Sequence, residues 1–135
     1  MLEMMLYVAL SLWNTLGLFL APVITVEFEP TTTYPNAYAF ARRYGVDTLH
    51  IVRCDIFVNP DGDFDALSTE QQQVIVSHEV GHCLGMDHID GPALMARYPL
   101  FNGGVITEAD VAEFQRTHPV PPVLPYRAFV SVAHD

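Results

Sequence analysis

The run His78-Glu79-Val80-Gly81-His82-Cys83-Leu84-Gly85-Met86-Asp87-His88 constrains this chain more than any other part of it. On a helix, His78 and His82 stand four residues apart and share a face, so both imidazoles reach one metal ion. Glu79 adjoins the first ligand, which puts its carboxylate beside the metal and not on it. His88 lies six residues past His82 and would point away if the helix ran on. Gly85 supplies the break, because glycine accepts the left-handed conformation that ends a helix and turns the chain. The turn brings His88 back as third ligand. Three histidines leave a fourth position for water, which separates a catalytic zinc site from a closed structural one. A bare His-Glu-x-x-His also occurs as two surface histidines on an ordinary amphipathic helix. Gly85 and His88 at these offsets weigh against that reading.

These eleven residues resemble the extended zinc signature of the metzincin metallopeptidases. Pro92-Ala93-Leu94-Met95 looks like the Met-turn, whose methionine forms an apolar floor under the imidazoles; alone, Met95 would read as a core gap-filler. Gly81 and the triplet Ala93-Leu94-Met95 look most like the matrixins, the matrix-metalloprotease group. The resemblance covers most of residues 5–116 and is specific from Ser77 to Met95. It implies an α+β, metzincin-like (zincin) domain with a small twisted sheet, an active-site helix, a Met-turn and a C-terminal helix. Set against that resemblance, the strand that precedes the first helix in matrixins is either dispensed with or cut off by truncation.

For activity, the resemblance implies a zinc-dependent endopeptidase. His78, His82 and His88 hold Zn2+, Glu79 is the general base for a zinc-activated water, and Met95 supports the site from below. Two other readings are a zinc hydrolase of a non-protein amide and a non-catalytic zinc-binding module. Glu79 argues against the module, since a purely structural site needs no base. Some metzincins carry a zinc-reaching tyrosine two residues past the methionine. Here Tyr98 stands three past Met95, so it is read as structural.

A length of 135 residues suits one domain, and a composition half hydrophobic with only 16% charged residues makes it globular. The formal charge of −10 argues against nucleic acid as a partner. The expected partner is a peptide or protein substrate, met by a monomer. Cys54 and Cys83 make one possible disulfide; because Cys83 follows a ligand on the helix, a buried free thiol is favoured over a bridge. Nothing resembles the matrixin pro-segment cysteine. The resemblance favours secretion, yet the apolar run Met4–Ala21 is a poor signal peptide, with Glu3 at its start and no Lys or Arg before Arg42. As a membrane span it lacks positive flanks and would carry Asn14 and Thr15. A core helix fits best: Leu6, Leu10, Trp13 and Leu16, with Leu20 beyond, recur at helical spacing, and Gly17 can end it. Matrixins carry a tryptophan-bearing first helix of this kind.

Ile24–Glu29 alternates apolar and polar residues, as a half-buried strand does. Thr31–Asn36 is a loop, and Ala37–Arg43 suits a short helix or a strand, the family favouring a strand. Thr48–Asn59 is β-rich, with His50, Val52, Cys54, Ile56 and Val58 on one face. The resemblance makes it an edge strand along which an extended substrate pairs. His50 is read as structural. The acidic loop Pro60–Asp65 raises Ca2+, but an EF-hand would need other residues where Ala66 and Gln72 stand, so a solvated turn is preferred. Ser68 with Gln71 opens the active-site helix, which runs to about Leu84. After the linker Asn102-Gly103-Gly104, Thr107 with Asp110 opens a second helix through Val111, Phe114 and Gln115, ended by His118-Pro119. The catalytic domain is therefore 1–117, and 118–135 is a proline-rich tail.

Overall fold

A computed structural model of the chain describes residues 1–17, 22–29, 33–47, 50–61, 63–102, 104–118 and 130–134. Leu20, Thr31, Thr48, Gly62, Gly103 and the proline-rich run from Pro119 to Pro125 lie outside the described residues. The described residues form a small α+β fold of helices α1 (Leu2–Asn14), α2 (Thr69–Cys83) and α3 (Glu108–Thr117) with strands β1 (Val23–Phe28), β2 (Ala39–Gly45), β3 (Ile51–Val58) and β4 (Val130–His134). Among them, no strand precedes α1. The sheet is mixed, in the order β1-β3-β2-β4. β1 runs parallel to β3, while β2 is antiparallel to both of its neighbours.

One expectation falls here. The segment 48–59 is assigned to the sheet edge by resemblance, but β3 lies in the interior, between β1 and β2. From Cys54 to Ile56 the strand is buried on both faces. Cys54, Ile56 and Val58 are fully buried in the core. On the opposite face Asp55 accepts from Thr25 of β1 at 2.8 Å and from Arg53 at 3.0 and 2.9 Å. The edges of the described sheet are β1 and β4. Ala37–Arg43, open between helix and strand in the sequence, enters β2 from Ala39 onward. The stretch read as a tail returns as β4, paired with β2 in the same sheet.

α1 is a core helix, though its buried stripe is shifted. Leu2, Met5, Ala9 and Trp13 are buried, whereas Leu6, Leu10 and Leu16 are only partly so. Trp13 is common to both stripes, and two polar contacts join the helix to α2: Trp13 Nε1 donates to the Ser77 carbonyl at 2.8 Å, and Gln73 Nε2 donates to the Met5 carbonyl at 2.9 Å. A buried indole N–H needs such a partner, so the face carrying Trp13 is turned inward. Gly17, at φ 87°, follows the last turn. No helix among the described residues is long and apolar enough to cross a membrane.

The two cysteines are joined. Cys54 on β3 faces the last residue of α2, Cys83, and the bridge forms with Cα atoms 5.4 Å apart. This corrects the expectation of a free buried thiol. Sheet and helix bring together residues 29 apart in sequence, a juxtaposition that helical spacing does not reveal. On the chain-entropy view, a loop of this size stabilises the fold by about 3–4 kcal/mol.

Candidate metal centre

α2 carries the first two histidines because its start and stop are both built into the sequence. Ser68 accepts from the Gln71 N–H at 3.2 Å and the Gln71 side chain accepts from the Ser68 N–H at 3.0 Å, closing a capping box. At the other end Gly85 adopts φ 96°. The Met86 N–H then donates to the Gly81 carbonyl and the Gly85 N–H to the His82 carbonyl, at 3.1 and 3.0 Å. This is the Schellman pattern, in which a left-handed residue satisfies the orphan carbonyls of the last turn. Past the turn, the Asp87 N–H donates to Glu113 Oε2 of α3 at 2.8 Å. Asp87 also lies 3.6 Å from both Arg43 and Arg116, so the loop leading to His88 is held from β2 and from α3.

The outcome is a convergent trio. One ring nitrogen from each of His78, His82 and His88 lies within 4.8 Å of the others, a group that can hold a metal ion. His78 and His82 are buried and His88 is half-buried. The rings of His78 and His82 are also oriented by their far nitrogens. His78 Nδ1 is 2.8 Å from the Leu94 carbonyl, and His82 Nδ1 is 2.8 Å from the Met86 carbonyl. A carbonyl only accepts, so each Nδ1 carries the proton and each Nε2 presents a lone pair. Burial pushes His82 well below its ordinary value of 6.5, and the nearby His78, His134 and His88 add to this, with the Met86 carbonyl opposing. His82 is therefore neutral at pH 7, the form that binds a metal.

Ala93, Leu94 and Met95 are buried. A β-carbon at Gly81 would overlap the Met95 sulfur, so a side chain here fits only if Met95 shifts; the glycine serves close approach and not a special backbone angle. The turn itself hangs on α3. The Leu94 and Met95 N–H groups donate to the two oxygens of Asp110 at 2.9 and 2.8 Å, while Asp110 also accepts from the Thr107 N–H and hydroxyl at 2.8 Å each. One fully buried carboxylate thus fixes the turn whose Leu94 carbonyl orients His78.

Glu79 is 2% exposed and shares with His78 the wall of a cavity of about 770 Å³. Tyr34, Tyr38, Ile75 and Leu100 give that cavity apolar sides, and Arg97 a basic one.

Compared with protein-family models, with curated proteins and with solved structures, the chain has no match.

Of the five residues singled out by sequence, His78, His82 and His88 form the trio, Glu79 shares the cavity wall with His78, and Met95 packs against Gly81 of α2. Tyr98, read as structural, is 68% exposed and lines the cavity. His50 pairs with Asp47 at 2.7 Å, away from the trio. In the acidic loop, Asp63 takes the left-handed conformation at φ 64° and the Asn59 side chain accepts the Asp61 N–H at 3.0 Å, as turn residues do. Among the described residues, the histidine trio is the group of three or more candidate ligands close enough to hold an ion. Sequence reasoning missed Asp110, Arg43, Glu113 and His134. Only Asp110 carried a signal, and that signal announced a helix start.

Proposed function

We propose that the chain is a zinc-dependent endopeptidase of the metzincin type, nearest in its motif to the matrixins. The observation that carries this reading is the convergence of three imidazoles next to a buried carboxylate, Glu79, on the wall of a cavity with room for a peptide side chain. Three imidazoles are a donor set suited to zinc, and two of them are already held in the ligating tautomer by backbone carbonyls. The Met-turn reading is supported by the seat of Met95 against Gly81, the residue just before His82 on α2.

Zinc, when bound, supplies a Lewis acid for the scissile carbonyl and a lowered pKa for water at neutral pH. The remaining work belongs to the chain. Glu79 takes a proton from the attacking water and passes it to the departing amine nitrogen. The apolar cavity beside His78 receives a substrate side chain and excludes water there. The substrate is an extended peptide or protein. A disulfide at the end of α2 agrees with a secreted enzyme, since such bonds persist in oxidising compartments.

The test is metal analysis of the purified chain with casein hydrolysis measured with and without chelator. Stoichiometric zinc and chelator-sensitive cleavage are expected. Glu79→Gln should keep the zinc and lose about 10²–10⁴-fold in rate. Unchanged cleavage by that variant removes the mechanism.

A further inference from the structure

β2 is the strand that runs past the histidine trio. Its first residue, Ala39, lines the cavity with His78 and Glu79, and Arg43 further along donates to the His82 carbonyl at 3.4 Å. The outer edge of such a strand is where an extended peptide gains main-chain hydrogen bonds. In this structure that edge is taken. β4 pairs along it in antiparallel register, from Gly45 opposite Val130 to Ala41 opposite His134. Two contacts fasten its far end at the site. The Tyr34 hydroxyl, on the cavity wall, donates to the Ala133 carbonyl at 3.2 Å. The His134 ring lies 4.9 Å from the His82 ring, the same separation as between His82 and His88.

We propose, resting on the peptidase reading, that β4 is a built-in competitor of substrate: it occupies the peptide's place on β2 and sets His134 beside the trio as a plug. Three features suit that role. β4 is an edge strand with β2 as its neighbour in the sheet, so it leaves without breaking other strand pairs. Its hydrogen bonds to β2 are of the kind an incoming peptide makes, so the exchange replaces like with like. Its tether to the same chain gives it a local concentration on the order of millimolar, which holds the edge closed against dilute peptides.

The experiment uses the full chain loaded with cobalt(II), whose visible absorption reports its coordination, and acetohydroxamate as a small metal-binding probe. Ser131→Pro with Val132→Pro removes two consecutive N–H groups, including the one directed at β2. With the edge freed, acetohydroxamate should bind about tenfold tighter or more, and casein cleavage should rise to match. His134→Ala, which keeps the strand paired, should give a smaller shift in the same direction. Equal probe affinity in the parent chain and in the His134→Ala variant, with the double-proline variant also unchanged or unfolded, overturns the proposal. Tighter probe binding without any casein cleavage upholds the blocking strand and removes the peptidase reading instead.

Discussion

Ser68 and Thr107 each cap a helix by accepting an N–H three residues on, and Gln71 and Asp110 each return the bond. The sequence signature is the same at both places, and the consequences differ. At α2 the box is exposed to solvent and its bonds stay within four residues. At α3 the returning residue is fully buried, and its carboxylate reaches across to the N–H groups of Leu94 and Met95, in the turn whose carbonyl meets His78. A cap is a local device by construction. Whether it also supports something distant depends on what the tertiary fold sets against it.

The largest effect is expected where the cap has two roles. Asp110→Ala strands the buried N–H groups of Leu94 and Met95, so unfolding should be easier by about 3 kcal/mol or more in denaturant titrations. Zinc affinity should also fall, by about 10–100-fold, because the Leu94 carbonyl no longer holds the His78 ring. If competition with a chromogenic chelator shows unchanged affinity, the link from α3 to the metal centre is absent.

Next in size is the far end of α2. Replacing both Cys54 and Cys83 with Ser should cost about 3 kcal/mol, since the bridge alone ties that end to β3 covalently. Acid probes the same buried end. His82 is held below its ordinary 6.5, so the folded, metal-free chain refuses a proton that the unfolded chain accepts. Its contribution is therefore whole above about pH 6.5 and is lost progressively as pH falls from there toward the depressed folded value. His118, shifted down by burial, acts with the same sign. Urea midpoints of the chelated protein at pH 7.5 and 5.5 should decrease in that order.

The smallest effect belongs to the exposed box. Ser68→Ala should cost about 1 kcal/mol and leave zinc affinity alone. An affinity loss like that of Asp110→Ala would erase the contrast between the two helices.

The parts of the molecule that sequence disclosed are those whose cause is local. α2 and α3 begin at the residues that cap them, and α2 ends at the glycine that takes a left-handed turn. The trio was legible for the same reason, since all of its members lie within eleven residues. What stayed hidden was set by pairing between distant segments. β3 reads as a strand, but nothing within 48–59 says that β1 and β2 flank it. Cys54 and Cys83 meet only because the sheet passes under α2. Apart from the side formed by α2, the cavity walls come from 33–39 and 97–101, two stretches without regular spacing. His134 is remote in sequence from every histidine it approaches, and only the register of β4 on β2 places it there.

Gly81 and Met95 press together so closely that a side chain at 81 has no room unless Met95 gives way. A larger residue at 81 must be met by a shorter one at 95, and a mutational path that takes either step first passes through a damaged intermediate. The pair should therefore drift in lock-step or stand still, which makes the floor of the site slower to diversify than the cavity walls around it.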